Sequence, residues 1–271
     1  MSNTYKIALC QMMVANGKEQ NMVRAAELVG EAARGGARVV CLPEIWNSPY
    51  DGKGFSAYAE PMDGPSAKLL ADLARTHGIF LIGGSIPESG ETETDENGKA
   101  RIYNTSLVYN PSGALIAKHR KAHLFDVDIE KGIRFKESDF LSAGAGTTVF
   151  DTDFGKMGLA ICFDVRFPEM FKEMSDAGAH LVFLPASFNM TTGPAHWDTL
   201  MKSRALDNQI YLAACSPARD LSAAYTSWGH SCVATPWGEY CAAADARENI
   251  VYAQIDIDYL IKIRKELPIG N

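Results

Sequence analysis

The chain has 271 residues and an acidic balance, with 26 basic against 33 acidic side chains and a net charge of −7. This charge, without any basic stripe interleaved with aromatic residues, argues against a nucleic-acid partner. Apolar residues make up 46% and charged residues 22% of the sequence, as in ordinary globular proteins. No window approaches the roughly 18 consecutive apolar residues of a membrane span.

The first half of the chain is predicted to alternate strands and helices, because short apolar runs are followed by helically spaced apolar residues that end at glycine. In chain order we predict a strand at 6–12, a helix at 21–34, a strand at 38–43, a helix at 66–77 and a strand at 79–86. The turn sequence NPSG at 110–113 then predicts a hairpin between 103–109 and 115–121. The charged run at 88–101 is predicted to be an exposed loop.

The second half shows the same alternation. In chain order we predict a hairpin at 147–151 and 156–161, a helix at 168–177, a strand at 180–185, a helix at 195–208, strands at 210–215 and 231–235, a turn at 236–239, a strand at 250–257 and a helix at 259–266. There is no detectable repeat, low-complexity segment or boundary, so we expect one α/β domain over residues 1–271. In such folds the helices cover the sheets, and catalytic groups gather beyond the strand ends.

The N-terminal residues run directly into the first predicted strand without a signal segment, which predicts a cytoplasmic location. The six cysteines are then expected to be reduced thiols, and their scattered spacings match no zinc site. Cys10, Cys41 and Cys215 lie within apolar strand patterns and are expected to be small buried side chains.

Cys162 stands out because of its flanks in the segment GLAICFDVRFPE, residues 158–169. It follows the end of an apolar strand and precedes Pro168, which suits the first position of a helix. The positive end of a helix favours the thiolate, and a thiol with a base and a charge stabiliser nearby can act as an acyl-transfer nucleophile. The alternative is an ordinary buried cysteine, which is the usual role of this residue type.

Two other segments place ionisable groups beyond strand ends. Glu44 in LPEIW is bracketed by apolar residues that can raise its pKa into the range useful for acid–base catalysis, although a helix-capping or solvated carboxylate is the alternative. Lys121 in HRKAHLFD closes the predicted hairpin, where a basic strand end exposed to solvent is the alternative. His119 and His123 are a poor match to a metal site, so we expect no metal and no cofactor.

Glu44, Lys121 and Cys162, in this order and at these separations, resemble the Glu–Lys–Cys triad of the nitrilase (carbon–nitrogen hydrolase) superfamily. The likeness extends along the whole chain, and further segments resemble the ω-amidase branch. These are IWNSPY (45–50), LIGGSIPE (81–88), FKES (135–138), FNMTTGPAHW (188–197), SPARD (216–220) and WGHS (228–231). The resemblance implies an α-β-β-α sandwich that dimerises by stacking helices, giving a homodimer or a higher homo-oligomer.

The resemblance also implies roles for individual residues. Cys162 would attack a carboxamide carbonyl, Glu44 would move the proton, and Lys121 with the backbone N–H of Phe163 would stabilise the oxyanion. A thioester would form and then be hydrolysed by water that Glu44 activates. Glu137 in FKES falls where the family carries a second glutamate, which would orient Lys121, whereas an ordinary loop salt bridge is the alternative.

The ω-amidase resemblance suggests monoamides of short dicarboxylates as substrates, such as 2-oxoglutaramate and 2-oxosuccinamate. Arg166 is a candidate for the substrate carboxylate, and a structural pair with Asp164 or Glu169 is an equal alternative. Further pocket candidates, by branch resemblance alone, are Tyr50, Phe188, Thr191, Thr192 and His196. Phe188 could equally belong to the core.

Three other functions are weighed against this one. An N-carbamoyl amidohydrolase or aliphatic amidase of the same superfamily is disfavoured by FNMTTGPAHW at 188–197. A catalytically silent binding protein on the same fold would have no need of Glu44, Lys121 and Cys162 together. A thiol-redox role is weaker still, since Cys162 has no resolving cysteine nearby in the sequence.

Overall fold

The computed structural model describes residues 3–94, 98 and 100–269. In chain order its strands are β1 (Thr4–Gln11), β2 (Val39–Cys41), β3 (Phe80–Ile82), β4 (Ile86–Thr94), β5 (Ala100–Tyr109), β6 (Leu115–Arg120), β7 (Asp126–Asp128), β8 (Arg134–Lys136), β9 (Thr148–Thr152), β10 (Gly155–Leu159), β11 (Leu181–Pro185), β12 (Tyr211–Cys215), β13 (Cys232–Ala234), β14 (Tyr240–Ala243) and β15 (Asn249–Asp256). Its α-helices are α1 (Lys18–Arg34), α2 (Gly52–Tyr58), α3 (Pro65–His77), α4 (Pro168–Asp176), α5 (Gly193–Asn208) and α6 (Ile257–Glu266).

The strands form two large sheets and one small hairpin. The first sheet has the order β15-β1-β2-β3-β5-β4, with β6 paired to β5, and the second has the order β14-β13-β12-β11-β10-β9. The central strands β1, β2 and β3 are parallel, as are β10, β11 and β12. Strands β7 and β8 form the separate hairpin.

Successive side chains along the central strands point to opposite faces of the sheet and so belong to different cores. Ile7 and Leu9 of β1 belong to the core between the two sheets, whereas Ala8 and Cys10 belong to the core that α1 and α3 cover. This is the period of two expected for a strand. On the other side, α4 and α5 contribute to a third core against the second sheet. The predicted α-β-β-α sandwich is confirmed.

The prediction of an exposed loop at 88–101 is wrong. Strands β4 and β5 pair there in antiparallel fashion, with Glu88 opposite Tyr103. The charges are accommodated because β4 is an edge strand and Arg120 of β6 binds both Glu88 and Glu93. Residues 95–97 and 99 of this run lie outside the described residues.

The predicted strand at 79–86 is two strands rather than one. Strand β3 ends at Ile82, and β4 begins at Ile86 after a break at Gly83 and Gly84, where the φ of Gly84 is 61°. Helix α2, the β7–β8 hairpin and β14 were not predicted from the sequence, because they are short elements with weak periodicity. None of the described helices is both long and apolar enough to cross a membrane.

Candidate active site

Cys162 lies at a sharp turn between β10 and α4. It begins a five-residue 3₁₀-helix, Cys162–Arg166, and Pro168 then opens α4 as the sequence predicted. The φ of Cys162 is 46°, a left-handed conformation that is strained for a residue with a side chain. Such strain at a buried thiol is typical of a functional turn. The backbone N–H of Phe163 follows in the first turn of this helix, where N–H groups lack intrahelical partners.

Asp164 holds this turn in place. Its carboxylate accepts a hydrogen bond from the Ile161 N–H at 3.0 Å. It also accepts from His123, from the backbone N–H at 2.9 Å and from Nδ1 at 2.8 Å, and it lies 3.0 Å from His119 Nε2. Although burial opposes it, the hydrogen bonds to His119 and His123 hold the pKa of Asp164 well below its usual range. Because these histidines flank Lys121 in sequence, Asp164 joins the Cys162 turn to the segment that carries Lys121.

The turn that carries Glu44 is held by residues from the break between β3 and β4. Ile45 has a φ of 49°, which is rare for a β-branched residue, and its N–H donates to Ser85 Oγ at 3.0 Å. Gly84 is required there because a Cβ atom would lie 2.2 Å from the carbonyl oxygen of Pro43. The sequence LIGGS therefore supports the carboxylate, a role that its two adjacent glycines could have suggested.

Glu44, Lys121 and Glu137 form a buried ionic cluster. Lys121 Nζ lies 3.0 Å from Glu44 Oε1 and 2.9 Å from Glu137 Oε2, and all three side chains are fully buried. The structure therefore brings together Glu44, Lys121 and Glu137 beside the buried Cys162. The alternative of solvated charges at strand ends is wrong for Glu44 and Lys121, and the salt bridge of Glu137 lies within this buried cluster.

Neighbouring polar groups fix the Glu44 carboxylate. Oε1 also accepts from Asn104 Nδ2 at 2.9 Å and from the Tyr50 hydroxyl at 3.3 Å, and Oε2 accepts from the Ser187 N–H at 2.7 Å. The Tyr50 hydroxyl is also 3.1 Å from Glu137 Oε1. Asn104 and Ser187, which reach Glu44 from β5 and from the loop after β11, were not predicted from the sequence.

The electrostatics of the cluster set the resting protonation state. Burial raises the pKa of Glu44, and the charge of Glu137 raises it further, while Lys121 opposes both. Burial and then the charge of Glu44 raise the pKa of Cys162 well above its usual range. The expectation that the helix start favours the thiolate is therefore wrong for the resting state, because burial outweighs a short 3₁₀-helix.

Lys121 keeps its positive charge in this setting. Burial lowers the pKa of Lys121, but the charges of Glu137 and Glu44 outweigh it and hold the pKa well above the usual range. The cluster thus combines a fixed cation, a carboxylate with a raised pKa and a neutral thiol. Such a set can take a proton from the thiol and stabilise a developing oxyanion.

A small recess lies in front of Cys162. Its lining includes five of the predicted site residues, which are Cys162, Phe163, Arg166, Phe188 and Thr192. Tyr225 also lines it. Phe188 is both a recess residue and a core residue, since it packs edge-to-face against Trp197 at 5.1 Å.

Arg166 faces this recess from its half-buried position. Its guanidinium lies 5.3 Å from the ring centroids of Phe163 and Phe188, and Nη2 is 3.2 Å from His196 Nδ1. Its buried Nε has no hydrogen-bond partner, and within the described part of the chain no ion pair joins Arg166 to Asp164 or Glu169. The alternative of a structural pair with Asp164 or Glu169 is therefore wrong, and Arg166 retains donors for a bound group.

The other pocket candidates are only partly brought together. Tyr50 contacts the carboxylates, and His196 contacts Arg166 rather than the recess itself. Thr191 is partly exposed, its N–H donates to Asn189, and its side chain is not in the lining of the recess. Across the described residues there is no group of three His, Cys, Asp or Glu side chains that could hold a metal ion.

Comparisons with known proteins identify relatives along almost the whole chain. Omega-amidase NIT2 of Xenopus tropicalis is 48% identical over 265 residues, covering 98% of this chain and 93% of the relative. Omega-amidase NIT2 of Homo sapiens is 46% identical over 266 residues, covering 98% and 94%. The crystal structure of Saccharomyces cerevisiae Nit3, a member of branch 10 of the nitrilase superfamily, matches with a TM-score of 0.88 and 39% identity, covering 99% of this chain and 96% of that one.

The family model described as carbon-nitrogen hydrolase matches residues 6–265, which is almost the whole chain. That match includes Glu44, Lys121, Glu137 and Cys162. The chain is therefore an enzyme of the carbon–nitrogen hydrolase family, in the nitrilase superfamily.

Proposed function

We propose that the chain is an ω-amidase, which hydrolyses the terminal carboxamide of short dicarboxylate monoamides such as 2-oxoglutaramate and 2-oxosuccinamate. The observation that carries the proposal is the buried Glu44–Lys121–Glu137 cluster beside Cys162, with the Arg166 guanidinium facing the same recess. The relatives named omega-amidase, at 46–48% identity, support the same activity.

Acylation begins when Glu44 takes the proton of the Cys162 thiol and the sulfur attacks the carboxamide carbon. The oxygen of that carbonyl becomes an oxyanion, stabilised by the ammonium group of Lys121 and the backbone N–H of Phe163. Glu44 then gives its proton to the departing nitrogen, so that ammonia leaves and a thioester remains. Burial raises the pKa of Glu44, and a carboxyl group with a raised pKa is a better proton carrier near neutral pH.

Deacylation reverses the roles of the same groups. Glu44 takes a proton from water, the hydroxide attacks the thioester carbon, and Lys121 again stabilises the oxyanion. The sulfur leaves and is protonated by Glu44, which restores the starting state. Glu137 acts as a positioning residue in both halves, since it holds Lys121 at 2.9 Å and accepts from the Phe125 N–H at 2.7 Å. No step requires a metal or a cofactor.

An ammonia-release screen tests the proposal directly. Carboxamides, a nitrile and an N-carbamoyl amino acid are compared at equal concentrations, and release is expected to be fastest from 2-oxoglutaramate. A preference for the carbamoyl compound would instead favour the N-carbamoyl amidohydrolase alternative.

Intact-mass measurement during turnover of a slow amide or ester should show an acyl adduct on Cys162. Turnover with an unmodified Cys162 would contradict the thioester mechanism, and absence of all turnover would favour a binding protein.

Arg166→Gln should weaken the use of substrates that carry a free carboxylate. Because hydrogen bonds to charged groups contribute about 1.5–3 kcal/mol, we expect kcat/KM for 2-oxoglutaramate to fall about 10- to 100-fold. A neutral aliphatic amide of similar length is the internal control, and its kcat/KM should change much less. Arg166→Lys should keep part of the preference. An equal loss for both substrates would assign Arg166 a structural role instead.

We further propose a single domain over residues 1–271, a homodimer or higher homo-oligomer and a cytoplasmic location. The family match over 6–265 supports the single domain, and the resemblance described above supports the assembly. Analytical ultracentrifugation of the purified chain tests the assembly, since a monomer at all concentrations would contradict it.

A further inference from the structure

A second cavity lies next to Glu44. It measures about 70 Å³, which is enough room for water. Its lining runs from the fully buried Glu44 to Asn16 and Ala224, which are exposed. We refer to it as the rear cavity. It therefore connects the Glu44 carboxylate with the protein surface.

The rear cavity and the recess are separated by a wall. Ser187 and Tyr225 line both spaces, and neither Cys162 nor Arg166 lines the rear cavity. The Tyr225 ring stacks on Tyr50 at 4.5 Å, and its hydroxyl donates to the Ser187 carbonyl at 2.7 Å. The rear cavity therefore has room for water next to Glu44, and Ser187 and Tyr225 stand between it and Cys162.

The two spaces also differ in charge. Three carboxylates line the rear cavity, those of Glu44, Asp51 and Asp220, and its lining within the described residues includes no Lys or Arg. The recess carries the Arg166 guanidinium. An anionic substrate or product is attracted by Arg166 and repelled by the acidic lining, whereas water enters freely and ammonium is attracted.

We propose that the rear cavity is a passage that brings water to Glu44 and lets ammonia leave, separately from the recess that binds the organic acid. The inference rests on the proposed function, because it assigns a route to the two small molecules of that reaction. In acylation, the amide and the thiol become a thioester and ammonia, which passes Glu44 and leaves. In deacylation, one water molecule enters by the same route and the acid leaves from the Arg166 side.

Filling the passage tests this inference on the full-length chain. Ala218→Val narrows the passage near its buried end, and Ala223→Leu narrows it nearer the surface. Ala243→Leu is the control, because it adds comparable bulk at an exposed position of β14 outside the lining. Both filled variants should lower kcat by ~5-fold or more and raise the fraction of acylated Cys162 seen by intact mass at steady state. The inhibition constant of the dicarboxylate product should stay unchanged in both filled variants. In Ala243→Leu, kcat, the acylated fraction of Cys162 and this inhibition constant should all match those of the parent.

The opposite results identify what has failed. If the dicarboxylate product inhibits the filled variants more weakly and no acyl adduct accumulates, the rear cavity is part of the substrate site and the passage is overturned. Unchanged kcat and adduct in both filled variants would overturn it as well. If the parent protein itself forms no adduct on Cys162, the proposed function fails rather than the passage alone. Should Ala223→Leu fold poorly, Ala223→Val is expected to give the same change to a smaller extent.

Discussion

Replacing Glu44 by Gln is expected to lower the rate of thioester formation at Cys162 by about 10²- to 10⁴-fold, the usual contribution of a general base. The resting thiol cannot lose its proton by itself, because burial and nearby negative charge raise the pKa of Cys162 well above its usual range. The glutamine amide accepts no proton under these conditions. Rapid-quench measurement of the first ammonia released per enzyme, with intact mass of the adduct, gives the acylation rate.

The folded state should survive this change. Lys121 keeps Glu137 as an ionic partner at 2.9 Å, and the amide oxygen of the new side chain can still accept from Asn104 and Lys121. Glu60→Gln is the matched control, because Glu60 is a buried carboxylate with its own lysine, Lys18, outside the site. It should lose stability but keep acylation. Rapid thioester formation in Glu44→Gln would remove Glu44 from the role of base.

The pH dependence of the parent enzyme follows from the same carboxylate. Only the ionised form of Glu44 can act as a base, and burial raises its pKa above the ordinary value of about 4.3. As the pH falls through this raised pKa, the base is protonated and kcat/KM should fall. The acid limb of the kcat/KM profile therefore lies above the ordinary glutamate range. An acid limb below pH ~4 would contradict the raised pKa.

The reactive groups could be predicted from sequence because each follows the end of a strand within a distinctive segment. Glu44, Lys121 and Cys162 come from three separate loops, and only the resemblance to a known family indicated that they meet. Glu137 was predicted in the same way. Its contact with Lys121 depends on the 3₁₀-helix Glu137–Asp139, an element too short to show any periodicity.

The supporting contacts could not be predicted in the same way. Asn104 lies in a strand that pairs with β3, β4 and β6, and nothing in its local sequence indicates that its amide points at Glu44. The N–H of Ser187 reaches the same carboxylate from the other sheet. These contacts arise when two sheets pack together, and a single sequence carries no local signal for them.

Local charge was a misleading guide in two places. The run at 88–101 is rich in acidic residues, yet Arg120 and Thr105 pair with Glu88 and let it lie in a strand. The helix start at Cys162 was expected to favour the thiolate, but this 3₁₀-helix has only five residues, and burial raises the pKa of the thiol instead. In the first case tertiary contacts decide where Glu88 lies, and in the second they set the pKa of Cys162.

Replacing Lys121 by Met should have the largest combined effect on stability and activity. The change leaves Glu44 and Glu137 buried without their shared cation, and breaking a buried ion pair from one side costs about 3–5 kcal/mol. Loss of one oxyanion donor should by itself lower the rate about 10²- to 10³-fold. Urea unfolding and single-turnover acylation measure the two losses separately.

Two further variants separate the structural role of Lys121 from its chemical role. Lys121→Met combined with Glu137→Gln removes one of the stranded carboxylates, and should recover about 1–3 kcal/mol of stability without recovering acylation. Lys118→Met, in β6 three residues before Lys121, is the control. Its ammonium is 3.6 Å from Glu88 and its side chain is 38% exposed, so its loss should cost about 0–1 kcal/mol.

The stability of Lys121→Met should also depend on pH in a defined direction. In the parent protein Lys121 opposes the rise in the pKa of Glu44, so that pKa should rise further once the lysine is gone. A carboxyl whose folded pKa exceeds its unfolded pKa binds its proton more tightly when folded, so the folded state gains stability at low pH and loses it as pH rises through the folded pKa. The stability deficit of Lys121→Met relative to the parent should therefore shrink as the pH is lowered from neutral toward the unfolded value of about 4.3. A deficit independent of pH, or one that grows as the pH falls, would show that the lost stability comes from packing around the long side chain and not from the stranded charge of Glu44.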